Sequence, residues 1–181
     1  MIFRPASLII SVFIVFMACN GKSGETIPGR PANAVEVRKL IIGKKYTTQK
    51  TGFFGNLTIN DKTEMEWIDA GTEREKYAKE AAIEQKKFQL QFLTDSTLTL
   101  YKKDTSFSAS YKLDEEVGEY DEEQQGVKLR ISYVDPEFKF GGEGSEITFT
   151  YVVLGAEGKK LLLQLPQSVN RRKLISLLSA E

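Results

Sequence analysis

Val127-Lys128-Leu129-Arg130-Ile131-Ser132-Tyr133 places Val, Leu, Ile and Tyr at every second position, with Lys, Arg and Ser between them. Side chains along a strand point alternately to opposite faces, so this stretch reads as a strand with one apolar and one polar face. The same alternation recurs in Phe88-Gln89-Leu90-Gln91-Phe92, Thr97-Leu98-Thr99-Leu100 and Ile147-Thr148-Phe149-Thr150-Tyr151. It also marks Asn56 to Asn60, Glu64 to Ile68, and Ser106 to Leu113, the last with Phe107, Ala109, Tyr111 and Leu113 inward. Lys44 to Thr48 and Lys160 to Leu165 bring the candidate strands to nine. Strands with one polar face belong to antiparallel sheets, because parallel strands are buried on both sides.

Most connections are hairpin-sized: Asp61-Lys62-Thr63, Thr94-Asp95-Ser96, Lys103-Asp104-Thr105 and Gly155-Ala156-Glu157-Gly158. Strands joined this tightly lie side by side, which makes a meander. A long meander has unpaired edges, and closing it into a barrel removes them. The expected fold is therefore mainly β, an antiparallel up-and-down barrel of eight to nine strands. Longer loops are expected at Asp114 to Gly126, which is acidic, and at Asp135 to Ser145. Thr72-Glu73-Arg74-Glu75 reads as a capping box that opens an inserted helix over Glu73 to Lys87, with Tyr77, Ala81 and Ala82 on its packed side. A C-terminal helix is expected after Pro166, with Ser168 as its cap and Leu174, Ile175, Leu177 and Leu178 as its stripe. Arg171, Arg172 and Lys173 would then occupy its first turns, where positive charge opposes the dipole and hints at a bound anion.

Composition narrows the chemistry. The chain has no His and one Cys, and 25 Lys and Arg balance 25 Asp and Glu. The usual zinc ligand, the commonest general base and every Ser-His or Cys-His pair are thereby removed. Disulfide frameworks are excluded, and balanced charge argues against a nucleic-acid binder. No arrangement of carboxylates, Lys or Tyr picks out a catalytic site. The expectation is a protein that is not an enzyme and that needs no metal or cofactor. Asp104-Thr105-Ser106 matches the aspartic-protease triplet, but that chemistry needs a second carboxylate, and a hairpin turn explains the three residues. The acidic loop lacks the spacing of a calcium loop and reads as a solvated hairpin tip.

At the N-terminus, Arg4 precedes an apolar run, Leu8 to Ala18, of eleven residues. A helix of that length spans roughly 16 Å, too short to cross a bilayer, and the pattern reads as a secretory signal peptide. Val15-Phe16-Met17-Ala18-Cys19-Asn20 resembles the lipobox of bacterial lipoproteins, with Phe16 where that family usually has Leu. The resemblance implies cleavage after residue 18 and lipid attachment, palmitate included, at Cys19. Asn20 after the cysteine implies sorting to the outer membrane, with the face left open. The alternative is a soluble secreted protein with Cys19 an incidental thiol. Residues 19–34 are expected to form a flexible tether and residues 35–181 the folded domain.

Together with the lipobox and tether, Leu40-Ile41-Ile42-Gly43-Lys44-Lys45-Tyr46, Phe92-Leu93-Thr94-Asp95-Ser96-Thr97-Leu98 and Leu161-Leu162-Leu163-Gln164-Leu165-Pro166 are similar to the lipocalin-like lipoproteins of Bacteroidetes. The Gly-x-Trp of true lipocalins is absent, since Tyr46 follows Gly43 by three. The resemblance implies a lipocalin-like barrel that binds a small hydrophobic ligand. Trp67, Phe88, Phe92, Phe107, Tyr111, Phe149 and Tyr151 fall on inward faces and are the candidates for lining a cavity. The same aromatics could fill the interior instead. The protein would then be a structural lipoprotein, or one that presents its loops to an envelope partner. Asp95-Ser96-Thr97 also resembles the acceptor triplet of Bacteroidetes O-glycosylation, with Ser96 as the acceptor.

Overall fold

A computed structural model describes residues 28, 29, 31, 33–59, 62–69, 76–116, 126–139, 144–169 and 172–181. The chain runs α1 (Ala34–Ile41), β1 (Lys45–Ile59), β2 (Lys62–Trp67), α2 (Lys76–Gln85), β3 (Gln89–Phe92), β4 (Thr97–Lys102), β5 (Thr105–Glu116), β6 (Gly126–Lys139), β7 (Gly144–Glu157), β8 (Lys160–Val169) and β9 (Arg172–Ala180). All pairings are antiparallel, and from β3 to β9 each strand pairs with the next in sequence. Pairing of β1 with β9, from Tyr46↔Ala180 to Phe53↔Leu174, closes an eight-stranded barrel. The expected up-and-down barrel is what forms.

The ninth strand lies outside the ring. β1 carries β3 on its first residues, Lys45 to Thr47, and β2 on its far half, Gly52 to Ile59. Between them the Thr48 amide and hydroxyl both donate to the Phe88 carbonyl, at 3.3 and 3.1 Å. β2 and α2 thus form an excursion between two neighbouring barrel strands.

The main core holds the inward residues of the alternating runs, among them Leu90, Phe92, Leu98, Leu100, Leu129, Ile131 and Leu163, each at most 1% exposed. α1 closes the end at which β1 begins. Asn33 caps it by accepting the Glu36 amide (2.9 Å), and Val37 and Ile41, one helical turn apart, are buried in the core. The Ala34 amide donates to Glu115 Oε1 (2.8 Å), tying the helix start to the end of β5.

Several expectations are corrected. There is no C-terminal helix, because Arg172 to Ala180 is β9. Pro166 sits where the β8–β9 register shifts, between Gln164 and Ser168, and a bulge tolerates a residue without an N–H. The run Leu174 to Leu178 looks helical because both faces of β9 are buried. Leu174 and Leu178 enter the main core, while Ile175 and Leu177 join Leu162 in a second cluster. Without a helix there is no dipole at Arg172, whose guanidinium lies 4.0 Å from the Phe53 ring centroid and pairs with Glu66.

The inserted helix ends at Gln85, two residues before the expected Lys87. It buries Ala78 and Ala82, whereas Tyr77 is 65% exposed; its expected capping box lies outside the described residues. Ahead of α1, the described residues of the expected tether pack on the barrel. Pro28 and Pro31 are buried, and the Ala156 amide donates to the Gly29 carbonyl (2.9 Å). Gly155 lies so close to Pro28 that a Cβ there would overlap the Pro28 carbonyl.

Candidate functional site

At the end opposite α1, the barrel holds a cavity of about 130 Å³. Leu100, Phe88, Tyr133, Phe149 and Tyr151 form its apolar walls, and Glu84, Gln85, Lys102, Lys103 and Gln167 its polar border. Tyr133 is the last inward residue of the alternating run on β6, and Phe149 and Tyr151 are inward neighbours on β7. Their rings continue one another, with Phe88 to Tyr151 at 5.9 Å, Tyr133 to Phe149 at 6.1 Å and Phe107 to Tyr133 at 4.8 Å between centroids.

α2 borders the mouth. Glu84 on α2 pairs with Lys103 (3.0 Å), and Lys87 just beyond it pairs with Asp104 (2.9 Å). Exposed pairs contribute at most about 1 kcal/mol each, yet both join the helix end to the β4–β5 hairpin tip. Asp104-Thr105 is part of that tip, since Lys102 pairs with Thr105 across a two-residue turn. This is the hairpin explanation of the Asp-Thr-Ser triplet. Lys102 continues the inward side of β4 after Leu98 and Leu100, and its Nζ lies 5.7 Å from the centroid of the Phe149 ring.

The buried polar atoms here are incompletely bonded. Among the described residues, the buried Tyr133 hydroxyl and Gln85 Oε1 have no hydrogen-bond partner, and Tyr133 is only 2% exposed. Burial raises the phenols of Tyr133 and Tyr151 above their ordinary value, so both stay neutral hydrogen-bond donors at any physiological pH.

The seven candidate lining residues separate. Phe88, Phe149 and Tyr151 line the cavity. Phe92 and Tyr111 fill the α1 end, Phe92 meeting Tyr46 and Tyr111 edge-on at 6.1 and 5.1 Å. Phe107 is partly buried behind Tyr133. Trp67 is not inward: it ends the outer strand β2 and packs on Leu162, Ile175 and Leu177, the cluster separate from the barrel core. The sequence reading left out Tyr133, although its own alternation had placed that residue inward. It had no signal for Gln85 or Gln167, whose positions depend on α2 and on the β8 bulge.

Ser96 lies in the exposed β3–β4 turn, where its hydroxyl donates to Asp95 Oδ1 (3.2 Å). Cys19 and most of the acidic loop lie outside the described residues. Asp114, the expected start of that loop, lies within β5 and meets Lys112 (2.9 Å) and Arg130 (3.1 Å), and its hydrogen bond to Lys112 holds its carboxyl below the ordinary value. Among the described residues, no three His, Cys, Asp or Glu side chains group closely enough to hold a metal. The fold class is thus a closed up-and-down barrel with one outer strand and two helices. Comparison with known protein families, with curated proteins and with solved structures finds no match to this chain.

Proposed function

We propose that this protein is a non-enzymatic envelope lipoprotein, held to the outer membrane through acyl chains on Cys19, whose barrel binds a small apolar molecule. The observation that carries the binding reading is the aromatic-walled cavity at one end of an otherwise filled barrel. A dry cavity of about 150 Å³ accepts benzene, so a space of similar size suits a single ring or a short chain. Pro28 and Gly29 lie against the end of β7, at the α1 end, opposite the mouth of the cavity.

The competing reading, a ligand-free interaction lipoprotein, is favoured by the packing of the α1 end and by a volume below the ~300–1,000 Å³ of common ligand pockets. Native mass spectrometry of Cys19→Ser protein from its own membrane fraction separates the two. A small-molecule adduct that disappears on denaturation supports the carrier. The bare polypeptide mass, with apolar probes also failing to bind, supports the interaction protein. The anchor has its own test. Alkyne-palmitate fed to cells should label the wild-type chain in membranes, and labelling that persists in Cys19→Ser would refute attachment there.

A further inference from the structure

The charges bordering the cavity do not cancel. Glu84 is matched by Lys103 and Asp104 by Lys87. Lys102 has the Phe149 ring beneath it and, among the described residues, no carboxylate against it. Asp135, the next position after Tyr133 on the same side of β6, lies outside the cavity wall; its Oδ1 accepts the Glu137 amide (3.0 Å), and its charge acts on the Tyr133 phenol. Among the charged residues that line the cavity, Glu84, Lys102 and Lys103, Lys102 is therefore the one without a paired partner among the described residues. In the same wall the Tyr133 hydroxyl and Gln85 Oε1 are buried without hydrogen-bond partners among the described residues. Buried polar groups are rarely left unbonded, and an unbonded one at a cavity wall is a position for a ligand atom. The hydroxyl can donate, and Gln85 offers either an acceptor or, with its amide turned over, a donor.

Resting on the binding reading above, we infer that the ligand is a small amphipathic carboxylate. Its body is about the size of one benzene ring and enters between Phe88, Tyr133 and Tyr151. Its carboxylate stays at the mouth, where it accepts hydrogen bonds from Lys102 and the Tyr133 hydroxyl. A neutral molecule of the same shape would satisfy the walls and leave the lysine unused. A long-chain acid would exceed the space.

Titration calorimetry on the Cys19→Ser protein tests this with phenylacetate and its uncharged counterpart 2-phenylethanol. Phenylacetate should bind saturably and more tightly. Lys102→Gln should weaken phenylacetate about fivefold, the range for an ion pair at an exposed rim, and leave 2-phenylethanol unchanged. Tyr133→Phe should weaken phenylacetate several-fold without loss of thermal stability. Equal binding of the two probes, unaffected by Lys102→Gln, would overturn the anionic class and leave the carrier standing. Binding of neither probe would overturn both.

Discussion

At the α1 end of the barrel, the Tyr46 hydroxyl donates to the Leu40 carbonyl (3.2 Å) and the Tyr111 hydroxyl to the Thr94 carbonyl (2.8 Å). At the α2 end, Tyr133 is as deeply buried and its hydroxyl has no partner among the described residues. The residue types match, as do the aromatic neighbours: Phe92 touches two tyrosines at one end, and Phe149 stacks on Tyr133 at the other. The lids differ. α1 drives Val37 and Ile41 into the barrel and supplies a carbonyl to Tyr46, whereas α2 buries only two alanines and leaves a cavity beside it. Helix side-chain volume, more than the barrel itself, decides which end is filled. A lid of alanines leaves room, and the room coincides with unbonded polar atoms.

The largest effects should come from removing a ring at each end. Phe92→Ala empties a fully buried position and should cost about 3–5 kcal/mol. Phe149→Ala removes a partly exposed wall of an existing cavity and should cost about 1–2 kcal/mol, since little transfer energy and no new enclosed void are involved. Urea denaturation compares the two directly. Equal losses would mean that the α2 end is as tightly packed as the other.

Next is the outer strand, which belongs to neither end. A Cβ on Gly52 would lie 2.5 Å from the Glu66 carbonyl oxygen and 2.9 Å from Trp67 Cε3. Gly52→Ala should push β2 outward, at about 1–3 kcal/mol. The emission of Trp67, the only tryptophan, should move to the red. Because β2 is outside the ring, binding at the cavity should persist. Its loss would show that β2 and α2 shape the mouth together.

Alkali offers a third comparison. Burial pushes the Tyr46 phenol up from 10.0 to about 12. The folded state therefore holds its proton more tightly than the unfolded chain. Stabilisation is complete below about pH 10 and is lost as pH rises from there to about 12. Tyr111, Tyr133 and Tyr151 shift the same way for the same reason. The urea midpoint should hold between pH 8 and 9.5 and fall by pH 11.5, less steeply in Tyr46→Phe. A midpoint independent of pH over that range would contradict burial of these phenols.

What the amino-acid sequence discloses follows the same division. Alternation gives the barrel, because inward and outward parity in β3 to β7 depends only on strand geometry, and Leu90, Leu98, Tyr111, Ile131 and Tyr151 are buried where it places them. Alternation fails where both faces are covered. Leu161-Leu162-Leu163, Leu174-Ile175 and Leu177-Leu178 put apolar residues at successive positions, where Trp67 covers the outside of β8 and β9. Such a run has no period of its own, so it can pass for a helix stripe. Trp67 is misread for the matching reason: its strand alternates correctly, but the apolar side faces the outside of the barrel. α1 was legible and missed. Asn33, with Glu36 three residues on and Val37 and Ile41 spaced at a turn, is a capped amphipathic helix in miniature. The cavity was half legible. Its rings follow from parity, but its mouth depends on where α2 lands, which no local pattern encodes.

The smallest and most diagnostic difference is in single oxygens. Tyr111→Phe deletes a hydroxyl that donates at 2.8 Å to a backbone carbonyl, and should cost about 1 kcal/mol, with the Thr94 carbonyl losing its donor. Tyr133→Phe deletes a buried hydroxyl that bonds none of the described residues, so the desolvation it suffers on folding disappears with it, and stability should hold or rise by up to about 1 kcal/mol. Opposite signs at the two ends would show that the α2 end retains a polar group at a cost to the free protein, as a site kept for a ligand requires. If Tyr133→Phe destabilises as Tyr111→Phe does, the hydroxyl has a partner in solution, a bound water filling the cavity being the simplest. The apolar wall would then be wet, and the cavity would be a hydration site instead of a binding site.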